Sequence, residues 1–332
     1  MKPFMNDPDT LVDEMLEAFL DVHGDRVTSV APRVLVTKVR QEGKVGLVTG
    51  GGSGHKPAFI GYLGRGLLDA VVVGDVFTSP PAAAILAAIR AVDNGAGVVL
   101  LLGNYSGDVM NFRMAADLAR REHRGVELSI ATDDIGAGFR DRPDMRRGVV
   151  GQLFVWKVAG AAAANGATSA EVVRIAGRMN DATRTIGVAA GPCNVPALGG
   201  PIFEIADDEL EYGVGHHGER GITTIPMATI DSVVDRMVDE ILDDLPHQPG
   251  DQVATIINGL GAMPLIQLYI AHRRLHQRLD QAGLAVRHMY VGEFFTALDM
   301  PGFSVTVGRL DQELGPLIQA PCDGVLFQQS TR

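Results

Sequence analysis

The sequence is poor in cysteine. Only Cys193 and Cys322 occur in 332 residues, too few for a disulfide framework, so a reducing, cytoplasmic setting is expected. Positive charge is also scarce: 29 Lys and Arg stand against 40 Asp and Glu, a formal net charge of −11. Without a basic field, neither a nucleic acid nor an anionic membrane surface is expected as a partner. Long apolar runs are missing. The longest, AGVVLLL at 96–102, has the length of a strand and cannot span a bilayer. The first ten residues hold no apolar h-region, so no secretory signal is read there. No internal repeat or low-complexity tract is visible.

Glycine, by contrast, is abundant. Its 40 residues make about 12% of the chain against a usual ~7%, which points to many tight loops of the kind that build small-ligand sites. The length favours two domains. Spacing predicts a helix over 10–23, with Leu11, Met15, Phe19 and Leu20 on one face and Asp9 or Thr10 as cap. Four apolar stretches then end in glycine or polar residues: KVGLVTG (44–50), LLDAVVVGD (67–75), GVVLLLGN (97–104) and VELSIATDD (126–134). Helical segments lie between them, with Gly95 and Gly125 as the expected C-caps. Such alternation predicts right-handed βαβ crossovers and a parallel sheet, with the ligand beyond the carboxyl ends of its strands.

Two helices follow residue 147, the second opened by a Thr168–Glu171 capping box. The Gly- and Pro-rich stretch 184–201 reads as a switch between domains, and the remainder as further helices and strands. The expected fold class is therefore α/β, in two α/β domains, with a mainly parallel sheet and flanking helices in the first. Residues 1–183 form an N-terminal domain with the Gly-rich loop, and 184–332 a C-terminal domain.

The run Thr49-Gly50-Gly51-Gly52-Ser53-Gly54-His55 follows a strand and exposes successive N–H groups that can cradle an anion or sugar oxygens. Lys56 and Pro57 break the spacing of a nucleotide P-loop. Asp108, after Asn104-Tyr105-Ser106-Gly107, either caps a helix or stands beside His55 as a proton acceptor. Asp75, Thr78 and Ser79 offer hydroxyl partners on the same edge. Asp133 and Asp134 read as turn or cap residues, and no metal is assigned. In the loop 213–221, His216 and His217 lack a third ligand at zinc spacing. A neutral imidazole there can add to a carbonyl, with Glu219 as orienting partner. Arg140–Gly148 reads as a solvated basic face.

Taken in order, GGGSGH, GDVFTSPP, NYSGDVMNF, RRGVVGQLFVWKVAGAAAA, GVGHHGERG, INGLGAMPLIQLYI and FTALDMPGFSVTV resemble the dihydroxyacetone kinase K-subunit family from about Leu11 to Phe327. The resemblance implies a two-domain, homodimeric subunit that holds a small ketose for phosphorylation. His217 matches the histidine that captures the carbonyl as a hemiaminal. His55 and Asp108 match the pair that activates the hydroxyl, and Gly52 and Ser79 match positions near the ketose. Gly51, Ser53 and Gly54 complete the implied substrate loop. This chain then binds no cofactor itself. Mg-ATP or Mg-ADP belongs on a separate L-type nucleotide-binding subunit, and a phosphotransferase-system protein is the other candidate donor.

Three departures qualify this. Lys56 stands where the family commonly has Glu, and Gly103 where it commonly has Lys; a wider pocket suited to a tetrulose such as erythrulose is the expectation. The segment GAGFRDRPDM after Asp134 looks like an insertion on the partner-facing side. Two other readings compete: a non-catalytic ketose sensor or co-regulator of the same family, and an isomerase- or aldolase-type enzyme.

Overall fold

The computed structural model describes residues 4–330, and the chain forms two compact units. The first comprises the residues up to Ala131, Leu153–Arg178 and those from Pro316 on; the second comprises Thr132–Gln152 and Met179–Gly315. The chain thus crosses between units several times, where the sequence suggested one switch near residue 183. The reason is local. After leaving the first sheet, Asp134 bridges in parallel to Thr185, which commits residues 132–152 to the second sheet before the next helix returns to the first unit.

The first unit contains α1 (Leu11–His23), β1 (Val27–Ala31), β2 (Val34–Thr37), β3 (Gly46–Gly51), β4 (Gly64–Arg65), β5 (Ala70–Val73), α2 (Ala82–Val92), β6 (Val98–Gly103), α3 (Ser106–Arg121) and β7 (Val126–Ala131). It also holds most of α4 (Gln152–Ala164) and α5 (Ser169–Asp181). Its six-stranded sheet runs β1-β2-β5-β3-β6-β7. The four strands read from sequence are the parallel ones, and their unbroken apolar runs reflect burial on both faces. The antiparallel β1–β2 hairpin beside β5 was not foreseen. Helices α2 and α3 cover the sheet through Ile85, Ile89, Phe112 and Ala116, packed on Val48, Val72 and Leu100. On α1 the buried residues are Val12 and Leu16, one position round from the expected stripe. Helix α5 opens with the expected capping box: Thr168 N donates to Glu171 at 2.9 Å. Asp93 and Glu122 close α2 and α3 in place of Gly95 and Gly125.

The second unit contains β8 (Thr183–Ala189), β9 (Asn194–Val195), β10 (Gly200–Pro201), β11 (Glu209–Tyr212), β12 (Thr223–Pro226), α6 (Ile230–Asp244), β13 (Gln252–Gly259), α7 (Leu265–Gln281), β14 (Ala285–Gly292) and β15 (Gly302–Leu310). Its sheet runs β12-β11-β8-β15-β13-β14 and is antiparallel apart from the β13–β14 pair. The stretch expected to be a switch is therefore an inner strand, β8, for its first third. Val234, Met237, Ile241, Leu268 and Leu275 of α6 and α7 close one face.

The basic segment is only partly a solvated face. Arg140 and Arg142 are exposed, but the Arg146 side chain is 2% exposed and clasps Asp244 with both terminal nitrogens, at 2.9 and 2.5 Å. Arg184 shares that carboxylate. Removing one partner of such a buried pair leaves an uncompensated charge. Asp244→Ala should therefore cost about 3–5 kcal/mol of stability, read as a lowered urea midpoint. A midpoint unchanged from wild type would contradict a buried, uncompensated charge.

Candidate active site

In the first unit, β3 ends at Gly51 and the chain turns through one tight 3₁₀ turn, Ser53–His55. This turn is tied to the loop after β5. Gly74 N donates to Gly51 O at 2.9 Å, Ser53 N to Asp75 O at 3.0 Å, and the Ser53 hydroxyl to Gly74 O at 2.6 Å. Ser53 is thereby a tie between loops. Gly52 is buried. Gly54 has no alternative: a Cβ there would lie 2.1 Å from the Phe77 ring. That ring stacks on His55 with centroids 5.2 Å apart, and Phe59 meets His55 edge-on at 6.2 Å. His55 is fully buried between two aromatic rings. Phe77 itself adopts φ +56°, a rare conformation for an aromatic residue.

Asp108 lies in the first turn of α3, but it is not the cap. Tyr105 occupies that position, and no side chain caps the helix. Asp108 is 8% exposed. It accepts a hydrogen bond from the Ser79 hydroxyl, whose oxygen receives one from Asn111 at 3.2 Å. Asp108 Oδ1 is buried with no hydrogen-bond partner among the described residues. Burial raises the carboxyl pKa to about 6, against the pull of Ser79; the loss of hydration outweighs the favourable helix terminus. A carboxylate poised near neutrality with a lone pair available can accept a proton. Gly51 is its neighbour, since a Cβ there would lie 3.8 Å from Asp108 Oδ2.

Lys56 folds back on its own turn, its Nζ 3.4 Å from the carbonyls of Ser53 and Ala58. Burial lowers its ammonium pKa to about 8. Gly103 is buried at the end of β6, where its carbonyl accepts from Tyr105 N at 2.9 Å.

In the second unit, the loop between β11 and β12 carries the two histidines. His216 is 3% exposed and lies against Phe295, with ring centroids 4.2 Å apart. Asn258 fixes Phe295 by accepting from its N–H at 2.9 Å. His217 meets His216 edge-on at 4.9 Å and is partly exposed. Its backbone N donates to Glu219 Oε2 at 3.0 Å, and its Nδ1 faces Glu219 Oε1 at 3.9 Å. Burial holds the His217 pKa below the usual imidazole value, Glu219 pulling it up and Arg147 pushing it down. Burial thus favours the neutral ring. Arg147 donates from Nε to Asp134 at 2.7 Å and from a terminal nitrogen to Gly213 O at 2.9 Å.

A model of the Dak1 domain matches residues 17–326. The chain belongs to the Dak1 family. It is 41% identical over 329 residues to the dihydroxyacetone-binding subunit of a phosphotransferase-system-dependent dihydroxyacetone kinase of Listeria innocua, covering 98% of this chain and all of that one. It is 40% identical to a D-erythrulose kinase of Mycolicibacterium smegmatis, covering 99% of this chain but 57% of the longer enzyme. Among solved structures, a dihydroxyacetone kinase operon co-activator superposes with a TM-score of 0.90 at 29% identity, over 95% of this chain and 98% of that one.

Within this Dak1 chain the structure groups His55, Asp108, Gly51, Gly54 and Ser79 at neighbouring strand ends of the first unit, and His217 with Glu219 in the second. Sequence reading missed Phe77, Asn111, Phe295 and Arg147. For Arg147 a signal existed: a basic residue soon after the adjacent acids Asp133 and Asp134.

The raised pKa of Asp108 has a measurable consequence. The native state holds this proton more tightly than the unfolded chain, so stability falls as pH rises from about 4 to about 6 and is flat above. Asp108→Asn escapes that loss and should be more stable than wild type by about 1–3 kcal/mol at pH 8. The advantage should vanish near pH 3.5. Urea titrations at both pH values decide it; an equal difference at the two would refute the buried-carboxylate account.

Proposed function

We propose that this chain is the ketose-holding component of a dihydroxyacetone-kinase-type phosphotransferase, working with a separate L-type chain that brings the phosphoryl donor. The observation that carries this reading is Asp108, a buried carboxylate with a free acceptor oxygen, at the strand edge that also carries His55. The 41% identity to a dihydroxyacetone-binding subunit supports it.

In this reading neutral His217 adds through Nε2 to the ketone carbon. A C–N bond forms, the carbonyl π pair moves to oxygen, that oxygen takes a proton, and the ring loses its Nδ1 proton on the side facing Glu219. The product is a hemiaminal. A polyol such as glycerol has no carbonyl and is refused. Asp108, acting with His55, then accepts the single proton of a ketose hydroxyl as its oxygen attacks the phosphorus of a nucleoside triphosphate or a phosphorylated protein on the other chain, and the donor's leaving group departs with the bond electrons. Like its family, the component is proposed to act as a homodimer.

The test is carbon-13 NMR of C2-labelled dihydroxyacetone with the purified protein. The ketone signal should give way to a protein-bound tetrahedral carbon, and His217→Ala should abolish the change. A ketone signal untouched by wild type would end the covalent reading. A second reading, a ketose sensor, draws on the co-activator of similar fold; capture on His217 without any ketose phosphate in the presence of an L-type chain and donor would favour it.

For the natural ketose we propose a tetrulose. Gly103 leaves the end of β6 without a side chain, and relatives named as erythrulose kinases lie at 37–40% identity. Gly103→Lys should lower turnover of erythrulose relative to dihydroxyacetone by roughly tenfold, the scale of a steric specificity contact. An unchanged ratio would remove the tetrulose assignment.

A further inference from the structure

Residues 263–270, the end of the motif INGLGAMPLIQLYI, take no part in the site described above. No charged residue occurs from Ala262 to Ala271, yet Ile266 is 70% exposed and Tyr269 56%. Helical geometry, about 100° per residue, explains the exposure. Leu268 and Leu275 of α7 face the sheet, while Arg274 and Arg278 on one flank pair with Asp235 and Asp239 of α6. Leu265, Ile266 and Tyr269 fall on the opposite flank. Helix α6 covers β8 and β15, and α7 covers β13 and β14, so that flank looks out over the β14 edge of the sheet.

That edge is unlike its counterpart. On the far side of the second sheet, β12 has four residues, two exposed threonines and a terminal proline, Pro226, features that discourage further pairing. Strand β14 has eight residues, no proline and no lysine, and its register shift lies near its start, opposite Val253 and Ala254. Met289 and Val291 pair with Thr255 and Ile257 of β13, and Val291 packs on the core beneath α7, so both lie on the helix side. By alternation Arg287 and Glu293 lie there too. A Cβ at Gly259 would stand 3.2 Å from Glu293 Cγ and 3.1 Å from Leu268 of α7. Arg287, Met289 and Glu293 are exposed. Antiparallel pairing of β14 with a second β14 sets helix side against helix side when the two-fold axis passes through a residue. With the axis at Tyr290, Met289 meets Val291 and Arg287 meets Glu293, each contact made twice. With the axis at Met289, Arg287 would meet Val291 instead.

We propose that this face binds a second copy of the chain: the two β14 strands pair antiparallel about an axis at Tyr290, and the two α7 flanks pack together beside them. The charge match singles out a second copy as the occupant, since β14 is its own complement in this register. The proposal rests on the homodimer reading above and gives it a surface.

The experiment measures dimer dissociation of the full-length protein by sedimentation velocity across a wide range of concentration. Ile266→Asp should weaken the dimer roughly thirtyfold, the scale of one interface hot spot. Arg287→Glu sets two pairs of like charges opposite each other and should weaken it by roughly tenfold or more. Glu293→Arg should do the same. The double variant Arg287→Glu/Glu293→Arg should recover most of the wild-type affinity, a recovery that no general loss of folding produces. If Ile266→Asp does not fold, this charge cycle decides alone, and a double variant no tighter than either single one overturns the proposal. Folded Ile266→Asp and Arg287→Glu proteins with the wild-type dissociation constant also overturn it, while leaving a homodimer through another face. If these variants keep the dimer but lose binding of a purified L-type chain, that chain is the occupant and the proposal falls. Wild type that sediments as a monomer throughout ends both the proposal and the homodimer reading.

Discussion

The buried ion pair between Asp134 and Arg147 is the interaction on which the second unit's chemistry depends. Its side chains are 1% and 16% exposed. Two charges taken from water at that depth contribute little net stability, and burial pushes the aspartate pKa upward against the attraction of the guanidinium. What the pair supplies is placement. It joins the exit from β7, the approach to α4 and the start of the histidine loop, adding side-chain ties to the backbone bond from Asp134 N to Arg147 O at 3.1 Å. Asp133 beside it does related work: its two oxygens accept the N–H groups of Val149 and Gly151, each at 2.9 Å. All four oxygens of this acidic pair thus have protein donors. That explains why adjacent aspartates at a strand end, which resemble a metal site in sequence, act as a bracket.

Asp108 in the first unit is built the opposite way. Its neighbours supply a single donor, Ser79, and one oxygen is buried with no partner among the described residues. A fold selected only for stability would cap that oxygen or replace the acid, because an unsatisfied buried acceptor costs about 1–3 kcal/mol. Accepting such a cost at one position while satisfying the carboxylates elsewhere is the usual mark of a functional group. The aromatic walls around His55 belong to the same logic. Phe77 and Phe59 exclude water from the imidazole, and the missing Cβ of Gly54 lets Phe77 come that close.

Much of this was legible in the sequence, for physical reasons that vary by element. The four parallel strands announce themselves because both faces are buried, so their apolar runs are unbroken and end abruptly in glycine. The loops at their carboxyl ends follow from chain geometry, which is why His55, Ser79 and Asp108 could be named together. The β1–β2 hairpin and the short strands flanking the histidine loop were not legible. Strands such as β12, with Thr223 and Thr224 exposed, carry almost no apolar pattern, and their pairing partners are set by tertiary context. Arg147 was misjudged because charge runs are ordinarily solvated, and sequence does not show that a carboxylate is waiting inside. The Lys56 ammonium lies near the carbonyls of its own turn, a local choice that spacing along the chain cannot predict.

The charge pattern also bears on what kind of substrate this chain can hold unaided. A net charge of −11 repels polyphosphates at a distance, and the buried guanidiniums of Arg146 and Arg147 are committed to Asp244 and Asp134. The chemistry left at the loops is that of neutral or weakly charged groups: an imidazole kept neutral by burial, a carboxyl near neutrality, and backbone donors on glycine turns. Those groups suit the uncharged polyhydroxy ketone proposed as substrate. A phosphoryl donor needs the reverse, a concentration of cations. The proposed division between a ketose-holding chain and a separate donor-bearing one keeps these two electrostatic environments apart, so that each can be built without compromising the other.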